Sequence, residues 1–420
     1  MLPKVEHLPV NWVDGMKIAR RHFSDFEHFV TDHVRDASAL NLLSSTYGLL
    51  LSDAPPFNLQ VIIDQNENIQ VRLSNCRAIT GSGGRVELID KPVELSTSLQ
   101  AVLDKYNMPR SDDLKLLIVL TVDPFRRTPE GQPANNEPFP RPPFTLPTYQ
   151  LTIVPNYQTD TTAVDPNAVR PSVGYVSPDF ESYHLVVGQL SGKFGVLTND
   201  EAYIPACSAL GAHSGLLAWA DRSQKLFAEV QRDAVQIVAK VIRKRRTDQA
   251  FRAGPLAELI RVLAEEVAQS LDDVLNHLHF GGREQAPITY LRYIVRATRQ
   301  LKTTLDCLCE PDKNSASSGR ELVLPYFQSW TNLEPALVEK ALVEVITKPY
   351  QHAQLQPYTV AIDRCWGMIQ QIFRKMTELE YIGQENTDYN FDTQRRSTHV
   401  SEAPNQQRVL DPFNGGYSFQ

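Results

Sequence analysis

Residue types that carry chemistry are present in this chain, but their spacing does not assemble a reaction centre. His277 and His279, and Cys307 and Cys309, are pairs two positions apart. On a helix such neighbours point to different sides, and neither pair has the two- or four-residue gap of a metal-binding motif. Asp272 and Asp273 are adjacent, hence divergent on a helix, and make a poor acid/base pair. The cluster Gly81-Ser82-Gly83-Gly84 has the composition of a phosphate cradle. No Lys-Ser/Thr follows it, however, and the next residues, RVELID, are strand-like rather than a helix N-terminus, so a hairpin turn is expected. G-x-S-x-G, H-E-x-x-H and glycine-rich dinucleotide signatures are absent from the sequence. The basic run Arg243–Arg246 falls in the last turn of a helical pattern, where cations meet the macrodipole favourably and stay solvated. The expectation is a protein that is not an enzyme, with no catalytic residue, no cofactor and no metal.

The elements around these residues divide by hydrophobic period. From Phe57 to about Tyr203 the runs NLQVIID, IQVRLSN, GRVELID, LKLLIVLTV and YQLTIVP are short and β-rich, separated by Asn, Asp, Gly or Pro turns. Between Pro124 and Pro147 stand eight prolines, which reads as a long projecting loop of polyproline character with Phe125, Phe139 and Phe144 as apolar anchors for a neighbouring subunit. After Tyr203 the period lengthens to between three and four. Leu216 to Val241 make one amphipathic helix; Leu256, Ile260, Leu263, Val267, Leu271, Val274 and Leu278 make a second in near-heptad order; Ile288 to Leu305 make a third. Gly-Pro and Gly-Gly breaks between them predict an antiparallel bundle. Cys309 to Gly319 reads as a linker, and helices are expected over Pro335 to Thr347 and Pro357 to about Leu379. From Tyr381 the composition is polar, with scattered aromatics that include Phe413 and Phe419, and reads as a tail that is disordered or folds on a partner.

The fold class expected is therefore α+β and multidomain: a sandwich-like β shoulder over 1–200, a helical neck bundle over 201–310, a helical region over 320–380 and a flexible tail over 381–420. The chain has 420 residues, 42% hydrophobic and 22% charged, enough for cores and unlike a disordered protein. Its net charge of −7 argues against nucleic acid as a partner. The apolar runs fall far short of the ~18 residues of a spanning helix, so no direct lipid insertion is expected. Five cysteines, an odd number in a long chain, and an opening that lacks a basic start and apolar core both predict a cytoplasmic protein.

The most distinctive passage is the opening LPVNWVDGMKIARRHFSDFEHFVTDHV. Trp12, Asp14, Gly15, Met16, Ile18, His22 and Phe23 in it resemble the W-x-(E/D)-G-M-x-(L/I)-x-x-x-H-F signature of the TssK family of type VI secretion baseplate subunits. Tyr47-Gly48-Leu49 is similar to that family's Y-G-L, Tyr203-Ile204-Pro205 to its Y-I-P segment before the helical neck, and Pro349-Tyr350-Gln351-His352 to its P-Y-x-H segment. The matches keep their order and together span about 1–380.

The resemblance implies a trimer with an N-terminal β shoulder, a helical neck and a C-terminal head. It implies TssF- and TssG-like wedge proteins as partners of the shoulder, and the membrane complex (TssJ, TssL, TssM) as the partner of the C-terminal region, at the cytoplasmic face of the inner membrane. The family head would continue beyond Leu379 into a small ordered domain, so the sequence is expected to be a divergent member with a reduced or absent head. For the opening itself two readings stand. Trp12, Met16 and Phe23 either pin an N-terminal arm onto the shoulder, with Gly15 in a turn and His22 in a core hydrogen bond, or they are anchors for a partner. A β-sandwich adaptor that binds carbohydrate or peptide is the competing function.

Overall fold

The computed structural model describes residues 5–53, 56–89, 91–111, 114–133, 140–156, 183–193, 196–247, 254–308 and 319–383. Phe139, residues 309–318 of the expected linker, and the tail from Gln384 onward, with Phe413 and Phe419, lie outside the described residues.

Among the described residues there are ten strands, all after the first helix and before the long helices. They are β1 (Gly48–Leu49), β2 (Asn58–Ile63), β3 (Asn68–Ser74), β4 (Cys76–Ile79), β5 (Arg85–Leu88), β6 (Val93–Ser98), β7 (Lys115–Glu130), β8 (Phe144–Pro155), β9 (His184–Lys193) and β10 (Val196–Asn199). They form three antiparallel sheets, in the orders β1-β4-β5, β2-β3-β6 and β10-β9-β7-β8. In β3, Ile69, Val71 and Leu73 are buried while Gln70 and Arg72 face water, the alternation of a half-covered strand. In β7, Leu116 to Leu120 are all buried, because this strand is central and covered on both faces. Gly81 to Gly84 form the expected hairpin turn between β4 and β5, closed by the Thr80 N–H to the Gly84 carbonyl at 2.8 Å.

Much of the proline-rich stretch is strand and not loop. β7 and β8 stay paired through Arg127↔Pro147, Thr128↔Leu146, Pro129↔Thr145 and Glu130↔Phe144, so much of it is a two-stranded ribbon. Proline density argues against a central strand, but here each strand has an outer edge with no pairing strand among the described residues, and a missing N–H on that side costs little. The ladder breaks only at Pro124 to Arg126, which bulge out between Asp123 and Arg127. The Asp123 carboxylate holds the bulge by accepting from the Phe125 and Arg126 N–H groups, both at 3.0 Å.

Eight helices accompany the strands among the described residues: α1 (Arg20–Ala39), α2 (Leu99–Lys105), α3 (Ser214–Thr247), α4 (Pro255–His279), α5 (Pro287–Cys307), α6 (Gly319–Thr331), α7 (Pro335–Thr347) and α8 (Gln356–Glu378). Pro255, Pro287 and Pro335 each stand at the first helical position, where the missing N–H is no loss. The near-heptad stripe of α4 is consumed inside the chain: Ile260, Leu263, Val267, Leu271, Val274 and Leu278 are buried in one continuous core. Within that core Trp366 Nε1 donates to Thr298 Oγ1 at 3.0 Å, and Ser223 Oγ lies 2.8 Å from the Tyr290 hydroxyl. Lys240 donates to the carbonyls of Thr377 and Leu379, both at 2.6 Å, and so closes the C-terminal end of α8.

One junction between the sheets and the helices from α3 onward runs through β1. The Leu49 N–H donates to the Ala206 carbonyl and the Ser208 N–H to the Leu49 carbonyl, both at 2.8 Å, a parallel bridge between β1 and the stretch before α3. Gly48 is required there: its φ is +109°, and a Cβ would lie 2.1 Å from the Ala206 oxygen. His352, from the turn before α8, stands 2.8 Å through Nε2 from the Tyr47 carbonyl and 2.7 Å through Nδ1 from the Tyr350 hydroxyl. The carbonyl only accepts, so Nε2 carries the proton and Nδ1 accepts from Tyr350. The Tyr203 hydroxyl donates to the Ala353 carbonyl at 2.9 Å. Thus 47–49, 203–205 and 349–352, far apart in sequence, meet at the seam between the sheets and the helices.

Candidate partner-docking site

The N-terminal arm reaches α1 through a turn at Val13 to Met16, closed by the Met16 N–H to the Val13 carbonyl at 3.1 Å. Gly15 adopts φ +79° in open space, so it supplies the left-handed turn and not a close approach. His22 is no core hydrogen-bonding residue. Its Nδ1 accepts the Ala19 N–H at 3.2 Å, satisfying a donor at the helix N-terminus from the third helical position. Trp12 packs edge-on to His22 and beside Phe23, with ring centroids 6.1 and 6.4 Å apart. Trp12, Asp14 and Phe23 are exposed and Met16 is half-buried. The arm is therefore not pinned to the sheets by its large apolar side chains.

What pins it is a charge pair. Asp32 and Arg35, on the inner face of α1, are buried, with the two guanidinium contacts to Asp32 Oδ1 at 3.0 and 2.5 Å. The other carboxylate oxygen, Oδ2, accepts the Glu6 and His7 N–H groups at 2.7 and 3.0 Å. Burial alone would raise the Asp32 pKa. The His7 N–H, the Arg35 guanidinium and the Glu6 N–H overcome it and hold the carboxyl at about 2. Under this pair α1 crosses the β4–β5 turn so closely that a Cβ on Gly83, whose φ is +85°, would lie 2.2 Å from the Arg35 carbonyl oxygen. The bulge of β7 adds to the same contact: Phe125 stacks on His7 with centroids 4.3 Å apart, and Arg127 donates to Thr31 Oγ1 at 2.9 Å. Phe125 is thus half-buried against the arm, whereas Phe144, at the start of β8, is exposed.

The consequence is an inverted amphipathic helix. Phe23, Phe26, Val30 and Val34 step by three, four and four along α1 and share one face, yet they are 56, 45, 40 and 62% exposed. Leu40 and Leu43, just after the helix, are exposed as well. An apolar row of this length left open to water makes this face of α1 a candidate docking surface. Sequence reasoning named its first residues, Trp12 and Phe23, but not Phe26, Val30 and Val34. The three-four-four spacing was the available signal.

His277 stacks on Tyr293 with centroids 4.7 Å apart, His279 and Cys307 are exposed, and Cys309 lies outside the described residues. Among the described residues no group of three or more His, Cys, Asp or Glu is placed to hold a metal ion. No described helix is long and apolar enough to cross a membrane.

No family model matches the chain, and no curated protein matches it. Solved structures do. The chain is similar to a crystal structure of TssK over 88% of its own length and 69% of that chain, at 13% identity and a TM-score of 0.45. What it is similar to is TssK. A second similar structure is TssK from the EAEC type VI secretion system in complex with a nanobody, with 14% identity over 83% of this chain and 68% of that one and a TM-score of 0.44. A third is a chain of the TssK-TssF-TssG baseplate subcomplex, at 14% identity, 89% and 100% coverage and a TM-score of 0.36.

Proposed function

We propose that this chain is a non-catalytic structural subunit of a type VI secretion baseplate, of the TssK kind, and that α1 is its docking face for the other baseplate proteins. The observation that carries the reading is the exposed row Phe23, Phe26, Val30 and Val34 on a helix whose charged pair faces inward. A helix held to its own domain by buried charges leaves its apolar side for something else, and the residues that lead into it, Trp12 to Phe23, are those that resemble the TssK signature. The meeting of 47–49, 203–205 and 349–352 at one seam gives the remaining matched segments a shared structural task. On this reading the protein is a homotrimer, TssF- and TssG-like wedge proteins bind the 1–200 region, and the 320–380 region faces the membrane complex at the cytoplasmic side of the inner membrane.

The test is co-purification of the chain with the TssF- and TssG-like proteins of its own system. Phe26→Glu combined with Val30→Glu should abolish capture while leaving the thermal transition in place. Undiminished capture by that variant would remove α1 from the interface. Light scattering at micromolar concentration addresses the trimer, and a monomer there would overturn that part alone.

A further inference from the structure

Between α5 and α7 lies an open trough of about 460 Å³. Its floor is apolar, made by Leu291, Val295 and Val345. Its rim is cationic: Arg292, Arg296 and Arg299 step by four and three along α5, and Lys348 faces them from the end of α7. Arg296 stands 3.5 Å from Asp273, both exposed, and Lys348 is 3.3 Å from Glu344. Arg292 and Arg299 have no ion pair among the described residues. Tyr350 and Tyr358 also line the trough, and their hydroxyls already donate inward, to His352 and to the Lys348 carbonyl.

Such a trough selects its occupant. A neutral apolar segment would bury guanidinium groups without partners, and a small anion would leave the floor wet. The fit is a peptide that carries carboxylates and large apolar side chains together. One stretch of this chain has that make-up: Glu385-Asn386-Thr387-Asp388-Tyr389-Asn390-Phe391-Asp392 holds three carboxylates, two aromatic rings and no cation. In an extended peptide its period of two sets Tyr389 and Phe391 on one side and Asp388, Asn390 and Asp392 on the other.

We propose that the trough between α5 and α7 is the docking site of the acidic, aromatic stretch Glu385–Asp392 of the same chain. The last described residue before it is within reach. The Gly383 N–H donates to the Tyr326 hydroxyl at 2.9 Å, and the Gly383 backbone abuts Ala257 at the start of α4. α4 and α5 are successive packed helices joined by a short link, hence antiparallel, which sets Ala257 level with the Cys307 end of α5. Arg299 is then about 12 Å along the bundle at 1.5 Å per residue. Eight extended residues from Gly383 to Phe391 span about 27 Å, so both rings reach the floor.

The experiment uses the full chain and an arginine-specific protease that cuts at Arg395-Arg396, just beyond the stretch. Arg292→Glu with Arg299→Glu should speed this cleavage roughly three- to tenfold, as should Asp388→Lys with Asp392→Lys, and the combined variant should return towards the parent rate. In the parent chain, zero-length carbodiimide coupling read by mass spectrometry should join Lys348 to a carboxylate within 385–392, beside an internal Lys348–Glu344 product. Mixing isotope-labelled with unlabelled chains separates coupling within one chain from coupling between copies. Cleavage that ignores all three variants, or Lys348 coupled to this stretch only across copies, overturns the proposal. Arg292 and Arg299 are exposed, Asp388 and Asp392 stand outside the described residues, and circular dichroism melts matching the parent's are required of each variant.

Discussion

Two helices of this protein carry apolar stripes of similar quality and use them in opposite ways. On α4 the stripe from Ile260 to Leu278 is sealed by neighbouring helices of the same chain. On α1 the stripe from Phe23 to Val34 faces water, and the side turned inward carries Asp32 and Arg35. Periodicity announces that a helix exists and which side is apolar; it does not say what covers that side. A near-heptad seam suggests association with other copies, but the seam of α4 has no surplus to offer them. The helix with apolar surface to spare is the one at the N-terminus.

The sharpest way to break this contrast is Leu263→Asp combined with Leu271→Asp. Both positions are fully buried, so two uncompensated carboxylates cost several kcal/mol each and the cooperative thermal transition should disappear. A folded variant that merely fails to assemble would show that the α4 stripe serves a second copy after all. Next in size is Asp32→Ala, which strands the buried Arg35 guanidinium and should cost about 3–5 kcal/mol in urea denaturation. The parent protein carries the same interaction in its acid limb. The Asp32 pKa is lowered on folding, from an unfolded value near 4 to about 2, so its contribution is complete above pH 4 and lost as the pH falls through about 2; it amounts to roughly 2 kcal/mol. Urea midpoints between pH 5 and 2 should show this slope in the parent and not in Asp32→Ala.

A smaller effect is expected at the seam. Burial lowers the His352 pKa, opposed by the hydrogen bond to the Tyr47 carbonyl. The unfolded chain therefore binds a proton more readily, and stability present above about pH 6.5 declines as the pH falls below it towards the folded value. His352→Phe should flatten the pH dependence in this window while costing roughly 1–3 kcal/mol for the two lost hydrogen bonds. An unchanged slope would exclude His352 as its source. The smallest effect is the most telling for α1. Val34→Lys should alter stability by no more than about 0.5 kcal/mol, because the side chain already stands in water. A loss several times larger would mean that the face is covered.

Much of the β region and the long helices was legible in the sequence, since alternation in β3 and three-four spacing in α3 to α5 reflect which side the core lies on. The misses share a cause: local rules were overridden by what lay across from them. The ribbon of β7 and β8 hid behind its prolines, which are tolerated where no further strand pairs. Helix α6 hid behind Pro325 in its interior. At the candidate site, Trp12 and Phe23 stood out by residue type, but Asp32 and Arg35 have the spacing of any solvated helical pair. Only the contacts of Asp32 with Glu6 and His7, and of Arg35 with the Ser82 carbonyl at 3.4 Å, reveal that the pair is internal.

The prolines of the ribbon have one more effect. An exposed two-stranded hairpin is ordinarily a template on which a third strand, from another copy or another protein, can grow. Pro129 in β7 and Pro147 in β8 each remove an outward amide from one of the two open edges, so neither edge presents an unbroken row of donors. The exposed Phe144 ring therefore stands on a ribbon whose open edges are poor templates for sheet growth from one copy of the chain to another.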